Sequence, residues 1–346
     1  MEDLELPPDM GMDGPLSPGA GGGDSSEVFI APTAGVPAAR RWTQKSAVPG
    51  EHAAAGDFDS AMRLLHRQLG IVNFSPLRQY FIDAALASHA PLPGITFAPT
   101  LNFPLGRGWT ADDLPGQTPP PALTSSLPLL EEKLKAAYKT TTEGKFGEAL
   151  KLFVSIIHSI AVLLVESRRE VDEVKELLSI AKEYAVALRI EIKRKEFKDD
   201  ASMNRQAELA AYFTHSPLQP IHLSLSLRSA MSLFFKIKNF NTAAGFCRRL
   251  LELNPPLKVA QQAKQVLQAC ERTPKDEVEL NYDSRNPFVV CSSTFMPIYR
   301  GTKDTACPTC AAKYMADQAG IVCQVCNLGK VGADASGLVC SPSQAR

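Results

Sequence analysis

The sequence has 346 residues, of which 37 are basic and 37 acidic, so its formal net charge at neutral pH is zero. A neutral balance gives no general attraction to nucleic acid or to anionic lipid. A hydrophobic content of 45% beside 21% charged residues excludes a fibrous chain, a fully disordered chain and a polytopic membrane protein. At roughly 150 residues per domain, the length predicts two or three folding units.

The first 50 residues are rich in glycine and proline and carry more acidic than basic side chains. Such a segment cannot bury enough apolar surface to offset its ordering entropy, so residues 1–50 are predicted to be a disordered acidic linker. The acidic start, Glu2-Asp3, differs from the positively charged beginning of a secretory signal. Together with the clustered cysteines near the other end, this indicates a cytoplasmic, reducing compartment.

Residues 51–275 are dominated by helical patterns. Apolar residues recur at intervals of three and four, for example at Leu127, Leu130, Leu134 and Tyr138, and charges fill the opposite face. Glycines and prolines divide this run into successive helices with short connections. The pattern predicts a mainly α domain built as an α-solenoid or a bundle.

Three short motifs in this domain resemble the turn and second helix of a tetratricopeptide repeat, because each joins a small or polar turn, an aromatic residue and a nearby alanine. They are Gly56-Asp57-Phe58 with Ala61, Gly144-Lys145-Phe146 with Ala149, and Lys238-Asn239-Phe240 with Ala243. Their separations are more than twice the repeat period of about 34 residues. The motifs therefore predict tetratricopeptide-like helical hairpins within a longer helical domain, and no regular array.

A proline-rich stretch interrupts the helical domain. Residues 91–128 include nine prolines, which excludes a continuous helix. Ile95-Thr96-Phe97 and Leu101-Asn102-Phe103 are typical of two short extended segments around a turn, so a β-hairpin or an extended loop is predicted to project at about residues 91–109. Exposed, its large apolar residues would form a protein-binding patch; alternatively, they fold back over the chain's own helices. The candidate partner-binding residues are Ile95, Phe97, Leu101, Phe103 and Trp109.

The last segment, residues 276–346, is predicted to be a small β-rich module that contains two Cys-x-x-Cys knuckles. Cys307 and Cys310 form the first knuckle, and Cys323 and Cys326 form the second after twelve intervening residues. Four thiolates brought together in this way form the closed tetrahedral shell of a structural zinc ion, as in a zinc ribbon. The alternative is that four reduced cysteines pack as small apolar residues.

Two functional classes receive little support from the sequence. A zinc-ribbon adaptor for nucleic acid would need a basic face, but from Lys303 onward four basic residues stand against three acidic ones. The catalytic patterns His-Glu-x-x-His and Gly-x-Ser-x-Gly do not occur in the sequence. His158, within an apolar run, is interpreted as a core histidine. The chain is therefore predicted not to be an enzyme.

Five irregular strings carry a resemblance to a known family. They are Phe74-Ser75-Pro76-Leu77-Arg78, Gly94-Ile95-Thr96-Phe97, Asn286-Pro287-Phe288, Pro297-Ile298-Tyr299-Arg300-Gly301 and Gly332-Ala333-Asp334-Ala335-Ser336-Gly337-Leu338. They resemble the C-terminal region of the coatomer alpha subunit, which is a component of the COPI vesicle coat, and Glu2-Asp3-Leu4-Glu5-Leu6-Pro7 is a weaker match to the acidic linker before that region. The likeness covers about residues 51–346.

The resemblance implies a structural role in vesicle transport from the Golgi to the endoplasmic reticulum and within the Golgi. This region of the family binds the coatomer epsilon subunit, a tetratricopeptide-repeat protein that closes around a projecting hairpin, and residues 91–109 match that hairpin. The other coatomer subunits are further implied partners. The implied location is the cytoplasm, with peripheral attachment to Golgi membranes and COPI vesicles through the coat.

The family's full-length members begin with WD-repeat propellers and a long helical solenoid, which this sequence does not contain. The sequence is therefore expected to be a fragment or a truncated product. A free-standing helical scaffold with a different protein partner stays open as the alternative function.

Overall fold

The computed structural model describes residues 43–44, 46–92, 101–105, 125–197 and 202–344. Within these ranges the chain forms ten α-helices and three two-stranded antiparallel sheets. The prediction of a mainly helical protein with small strand pairs is therefore confirmed, while the solenoid arrangement stays a prediction. Most of the predicted linker lies outside the described residues, although Val48 is buried and the first described α-helix begins at Pro49.

Three helices precede the hairpin: α1 (Pro49–Ala54), α2 (Phe58–Leu69) and α3 (Arg78–Ala87), with a 3₁₀ turn at Ser75–Leu77 between the last two. Helix α2 begins where the Asp57 side chain accepts the Ser60 N–H, and it ends at Gly70, whose φ of 62° suits a residue without a Cβ. Both boundaries follow from local chemistry.

Strands β1 (His89–Leu92) and β2 (Leu101–Pro104) form the hairpin, with His89 opposite Pro104 and Leu92 opposite Leu101. The sequence prediction placed the first extended segment at Ile95-Thr96-Phe97, but the observed partner of the second segment lies earlier. Pairing begins directly after α3 because the Leu105 N–H donates to the Ser88 carbonyl at 2.7 Å, which brings the end of β2 to the base of β1.

Seven helices follow: α4 (Leu127–Thr142), α5 (Phe146–Ala161), α6 (Arg168–Glu196), α7 (Met203–Phe213), α8 (Pro220–Lys236), α9 (Phe240–Glu252) and α10 (Leu257–Arg272). Each packs against the next in chain order. Helix α6 begins with a capping box, in which Ser167 and Glu170 each accept a backbone N–H of the other. In the described part of the chain, the helices are all too short or too polar to cross a membrane.

Four short strands complete the described chain: β3 (Phe288–Val290) pairs with β4 (Pro297–Tyr299), and β5 (Asp304–Ala306) pairs with β6 (Lys313–Met315). One continuous hydrophobic core joins helices α1 to α6 to the segment that carries the cysteine knuckles. A second core lies among α7 to α10. The C-terminal strands therefore return to the N-terminal helices and are packed against them.

Candidate metal centre and partner-binding hairpin

The four cysteines of the two knuckles lie together in the interior. Cys307, Cys310, Cys323 and Cys326 are all buried and unpaired by disulfides. Their four sulfur atoms lie within 4.8 Å of one another, with 3.8 Å between the Sγ atoms of Cys307 and Cys326 and 3.6 Å between those of Cys310 and Cys323. Within the described ranges, this is the group of side chains with the geometry of a metal site.

The separations of 3.8 and 3.6 Å fit two edges of a tetrahedral metal site. With zinc–sulfur bonds of about 2.3 Å, the sulfur–sulfur edges of a regular tetrahedron are about 3.8 Å. A disulfide would instead hold two sulfurs about 2.05 Å apart. The cysteines predicted from their spacing are thus brought together as a cluster that could bind a metal ion.

Each knuckle is closed by a residue in the left-handed conformation. The Ala311 N–H donates to the Cys307 carbonyl at 2.8 Å, and the Asn327 N–H donates to the Cys323 carbonyl at 2.9 Å. Ala311 has a φ of 60° and Asn327 a φ of 59°. The two turns therefore have the same form, and each aims two thiols at one point.

Crowding of the four thiols sets their protonation. Hydrogen bonds from Cys307, Cys310 and Cys326 hold the pKa of Cys323 well below its ordinary value. Contact with Cys307 is the largest cause that raises the pKa of Cys310 and of Cys326. Burial together with like charge prevents four thiolates from forming side by side, and a bound cation would remove that restriction.

Side chains and backbone from the turn between α2 and α3 contact the knuckles. The Thr309 hydroxyl donates to the Leu69 carbonyl at 2.7 Å, and the Lys330 N–H donates to the Gly70 carbonyl at 3.0 Å. The Val72 N–H donates to the Leu328 carbonyl at 3.0 Å. A Cβ on Gly70 would lie 2.7 Å from the Pro308 ring, so this approach requires glycine. The knuckles are therefore attached directly to the helices that precede the hairpin.

His158 joins α5 to the second knuckle. It is buried, and its Nε2–H donates to the Cys326 carbonyl at 2.7 Å. Burial lowers the pKa of the His158 imidazole, which keeps the ring neutral. Its ring nitrogen is therefore used as a donor to the backbone, in agreement with the interpretation of a core histidine.

Three residues that support the cluster carried no signal in the sequence. Arg189 of α6, Tyr314 of β6 and Thr309 between the first two cysteines all make hydrogen bonds at the knuckles. Arg189 is 135 positions from its partner Gln324, so neither periodicity nor local spacing relates the two.

The structure describes only part of the predicted partner-binding site. Leu101 and Phe103 belong to strand β2, whose backbone alone is described at these two positions, while Ile95, Phe97 and Trp109 lie outside the described residues. At the base of the hairpin, three exposed leucines lie on α3, after β2 and on α4: Leu86, Leu105 and Leu129. Two of them, Leu86 and Leu129, line a cleft of about 510 Å³ between α3 and α4.

The described chain thus combines sequentially packed helices, a two-stranded hairpin and a buried cysteine cluster that ties the C-terminal strands to the N-terminal helices. A family model for the C-terminus of the coatomer (COPI) alpha subunit matches residues 1–346. The chain belongs to the coatomer alpha-subunit family, in the region that this family model describes.

Curated relatives agree with this assignment. Coatomer subunit alpha-1 of Arabidopsis thaliana is 53% identical over 346 residues, which are 100% of this chain and 28% of that relative. The coatomer subunit alpha of Dictyostelium discoideum is 42% identical over 91% of the chain and 26% of the relative. That of Saccharomyces cerevisiae is 30% identical over 86% of the chain and 24% of the relative. The chain thus spans about a quarter of the length of these relatives, and the resemblance found in the sequence is confirmed.

Proposed function

We propose that this chain is the part of a COPI coat subunit that docks the coatomer epsilon subunit through the hairpin. Its role is structural and non-enzymatic, in transport from the Golgi to the endoplasmic reticulum and within the Golgi. Its other partners are the remaining coatomer subunits. It acts in the cytoplasm and is peripherally attached to Golgi membranes and vesicles. We expect this attachment to be made through the coat, because the neutral chain has no general attraction of its own to anionic lipid.

The observation that carries this proposal is the position of the hairpin. Strand β1 begins two residues after α3 ends, and outside the hairpin itself the main contacts of β1 are with α3. Pro91, Asn102 and Leu105 are exposed. A two-stranded hairpin is marginally stable alone in water. A partner that closes around it would supply the missing packing.

Co-expression with the epsilon subunit, followed by size-exclusion chromatography with light scattering, tests the docking. A one-to-one complex is expected. The double variant F97S/F103S should weaken binding at least about tenfold, since the two aromatic anchors that it removes are together worth more than about 1.4 kcal/mol. Leu257→Ser is the matched control, because Leu257 is 82% exposed on α10.

A folded double variant that binds the epsilon subunit as tightly as the unchanged chain would exclude the hairpin as the docking element. The alternative of a helical scaffold with a different protein partner would then replace it.

We also propose that Cys307, Cys310, Cys323 and Cys326 hold one structural zinc ion. Four buried sulfurs within 4.8 Å of one another, with two pairs at 3.8 and 3.6 Å, support zinc, because a closed four-thiolate shell is its usual structural site. When bound, the ion would supply cohesion between the knuckles, and no open coordination position would remain for a substrate. The test is the metal content of the purified chain together with the stability that it loses on chelation.

A further inference from the structure

We propose that Arg189 and Tyr314 form a charge-compensating shell around the metal centre, so that helix α6 is part of the metal site. This inference rests on the proposed zinc. It concerns two residues outside the cysteine motif, and it explains why a half-buried cation and a fully buried phenol lie against the second knuckle.

Tyr314 is directed at one of the four sulfurs. Its side chain is fully buried, and its hydroxyl oxygen accepts the Gln324 N–H at 2.9 Å. The same hydroxyl lies 3.1 Å from the Sγ of Cys323. A backbone N–H can only donate, so the hydroxyl accepts from Gln324, and a metal-bound Cys323 thiolate has no proton of its own. In the loaded centre the single phenol proton is therefore donated to the sulfur.

Arg189 places a permanent positive charge on the same knuckle. One arm of its guanidinium donates to the Gln324 carbonyl, and the other donates to the Gln324 side-chain oxygen at 3.2 Å. The guanidinium stays protonated at any physiological pH. No carboxylate in the described ranges forms an ion pair with Arg189, whereas Arg169 and Arg194 of the same helix pair with Glu173 and Glu191.

The charge of the loaded centre accounts for this arrangement. A zinc ion with four thiolates carries a net charge of about −2, and burial of such a dianion is costly unless it is paired and hydrogen-bonded. The Tyr314 hydroxyl donates to a sulfur directly. Arg189 acts through residue Gln324, whose backbone N–H donates to the Tyr314 hydroxyl and whose backbone carbonyl accepts from the arginine. Two side chains from different elements thus stabilise one anionic centre.

Zinc affinity of the full chain, measured by competition with a chromophoric chelator, tests the proposal. Loss of partners around the ligands of a metal site typically costs 10–100-fold in metal affinity, and this range is expected for Arg189→Gln. Arg189→Lys keeps the charge and should recover at least half of that loss on a logarithmic scale. Arg169→Gln is the matched control, because that arginine lies on the same helix with 89% of its side chain exposed.

Tyr314→Phe tests the second residue by a spectroscopic signal of the metal site that a change in packing alone would not alter. The phenylalanine ring fills the same volume but removes the donor to the Cys323 sulfur. In the cobalt-substituted protein, the sulfur-to-cobalt charge-transfer band should shift, and zinc affinity should fall about tenfold.

The outcomes separate this inference from the proposed zinc site. If the unchanged chain binds no zinc, the proposed metal site itself fails. If it binds zinc and Arg189→Gln binds equally tightly, charge compensation by Arg189 is overturned. If Arg189→Lys loses as much affinity as Arg189→Gln, the hydrogen bonds matter and the charge does not, which also overturns it. Should Arg189→Gln fail to fold, the zinc affinities of Arg189→Lys and Tyr314→Phe still test the proposal.

Discussion

At the scale of single residues, glycine is required where the two knuckles meet. Gly329 follows the second knuckle and contacts the first. A Cβ at this position would overlap the hydroxyl of Thr309 and lie 3.0 Å from the Sγ of Cys307. Because Thr309 is itself held by its hydrogen bond to Leu69, the surrounding chain has little room to yield.

We therefore expect Gly329→Ala to lower the free energy of unfolding by about 1–3 kcal/mol, as overpacking of an interior does. Gly245→Ala is the control, because Gly245 lies inside α9 with nothing within 4 Å of an added Cβ. That variant should gain about 0.5–1 kcal/mol from the better helix propensity of alanine. Urea denaturation of both variants measures the difference, and equal effects would contradict the packing argument.

At the scale of elements, the three repeat-like motifs are one kind of turn. Gly56, Gly144 and Lys238 have φ values of 79°, 77° and 62°. The N–H of each of these residues donates to the carbonyl of the residue three positions before it. The N–H of the residue that follows donates to the carbonyl of the residue five positions before itself. This is the Schellman arrangement that ends a helix. The motif therefore encodes a helix end joined directly to a helix start, which explains why it recurs without a regular period.

At these turns, two substitutions should change the free energy of unfolding in opposite directions. Gly144→Ala forces a Cβ into the left-handed region and should cost about 1 kcal/mol, although space at this position is open. Lys238→Gly removes the same penalty and should raise the free energy of unfolding by up to about 1 kcal/mol. The ion pair of Lys238 with Glu277 is exposed, so its loss subtracts little. Thermal unfolding compares the two, and a change of the same sign in both would contradict the turn assignment.

At the scale of the whole molecule, the cysteine segment connects distant parts of the chain. Its knuckles contact the turn between α2 and α3, the buried His158 of α5 and Arg189 of α6. Since α3 leads directly into the hairpin, the proposed metal centre and the proposed docking element are connected through α3 and the turn that precedes it. Loss of metal should therefore affect the helices as well as the small strands.

We expect about one zinc per purified chain, and chelation should lower the free energy of unfolding by about 4 kcal/mol if free zinc had been about 1,000-fold above its dissociation constant. Cys310→Ser should abolish this sensitivity to chelation. Cys340→Ser is the control, because Cys340 is buried but outside the cluster. Elemental analysis and thermal unfolding with and without chelator check the prediction. A zinc content near zero in the carefully purified chain would contradict it.

Much of the helical fold could be predicted because helix signals are local. The apolar spacing around Leu130 and Leu134 and the turn chemistry at Gly144 act within a few residues. The hairpin was harder to predict: β2 was located, but its partner strand was placed later than the observed His89–Leu92. Strand pairing depends on where α3 ends and the chain turns into β1, and short apolar segments in the sequence do not indicate that position.

The helices, their turns and the pairing of four cysteines into two knuckles can be recognised in the sequence, because each depends on residues close in the chain. The surface that the knuckles cover and the side chains that support them become visible only in the folded structure. The Thr309 hydroxyl and the Leu69 carbonyl are 240 positions apart, and Arg189 and Gln324 are 135 apart. Contacts at such separations arise from the joint packing of several elements around one core, and no single periodicity in the sequence specifies them.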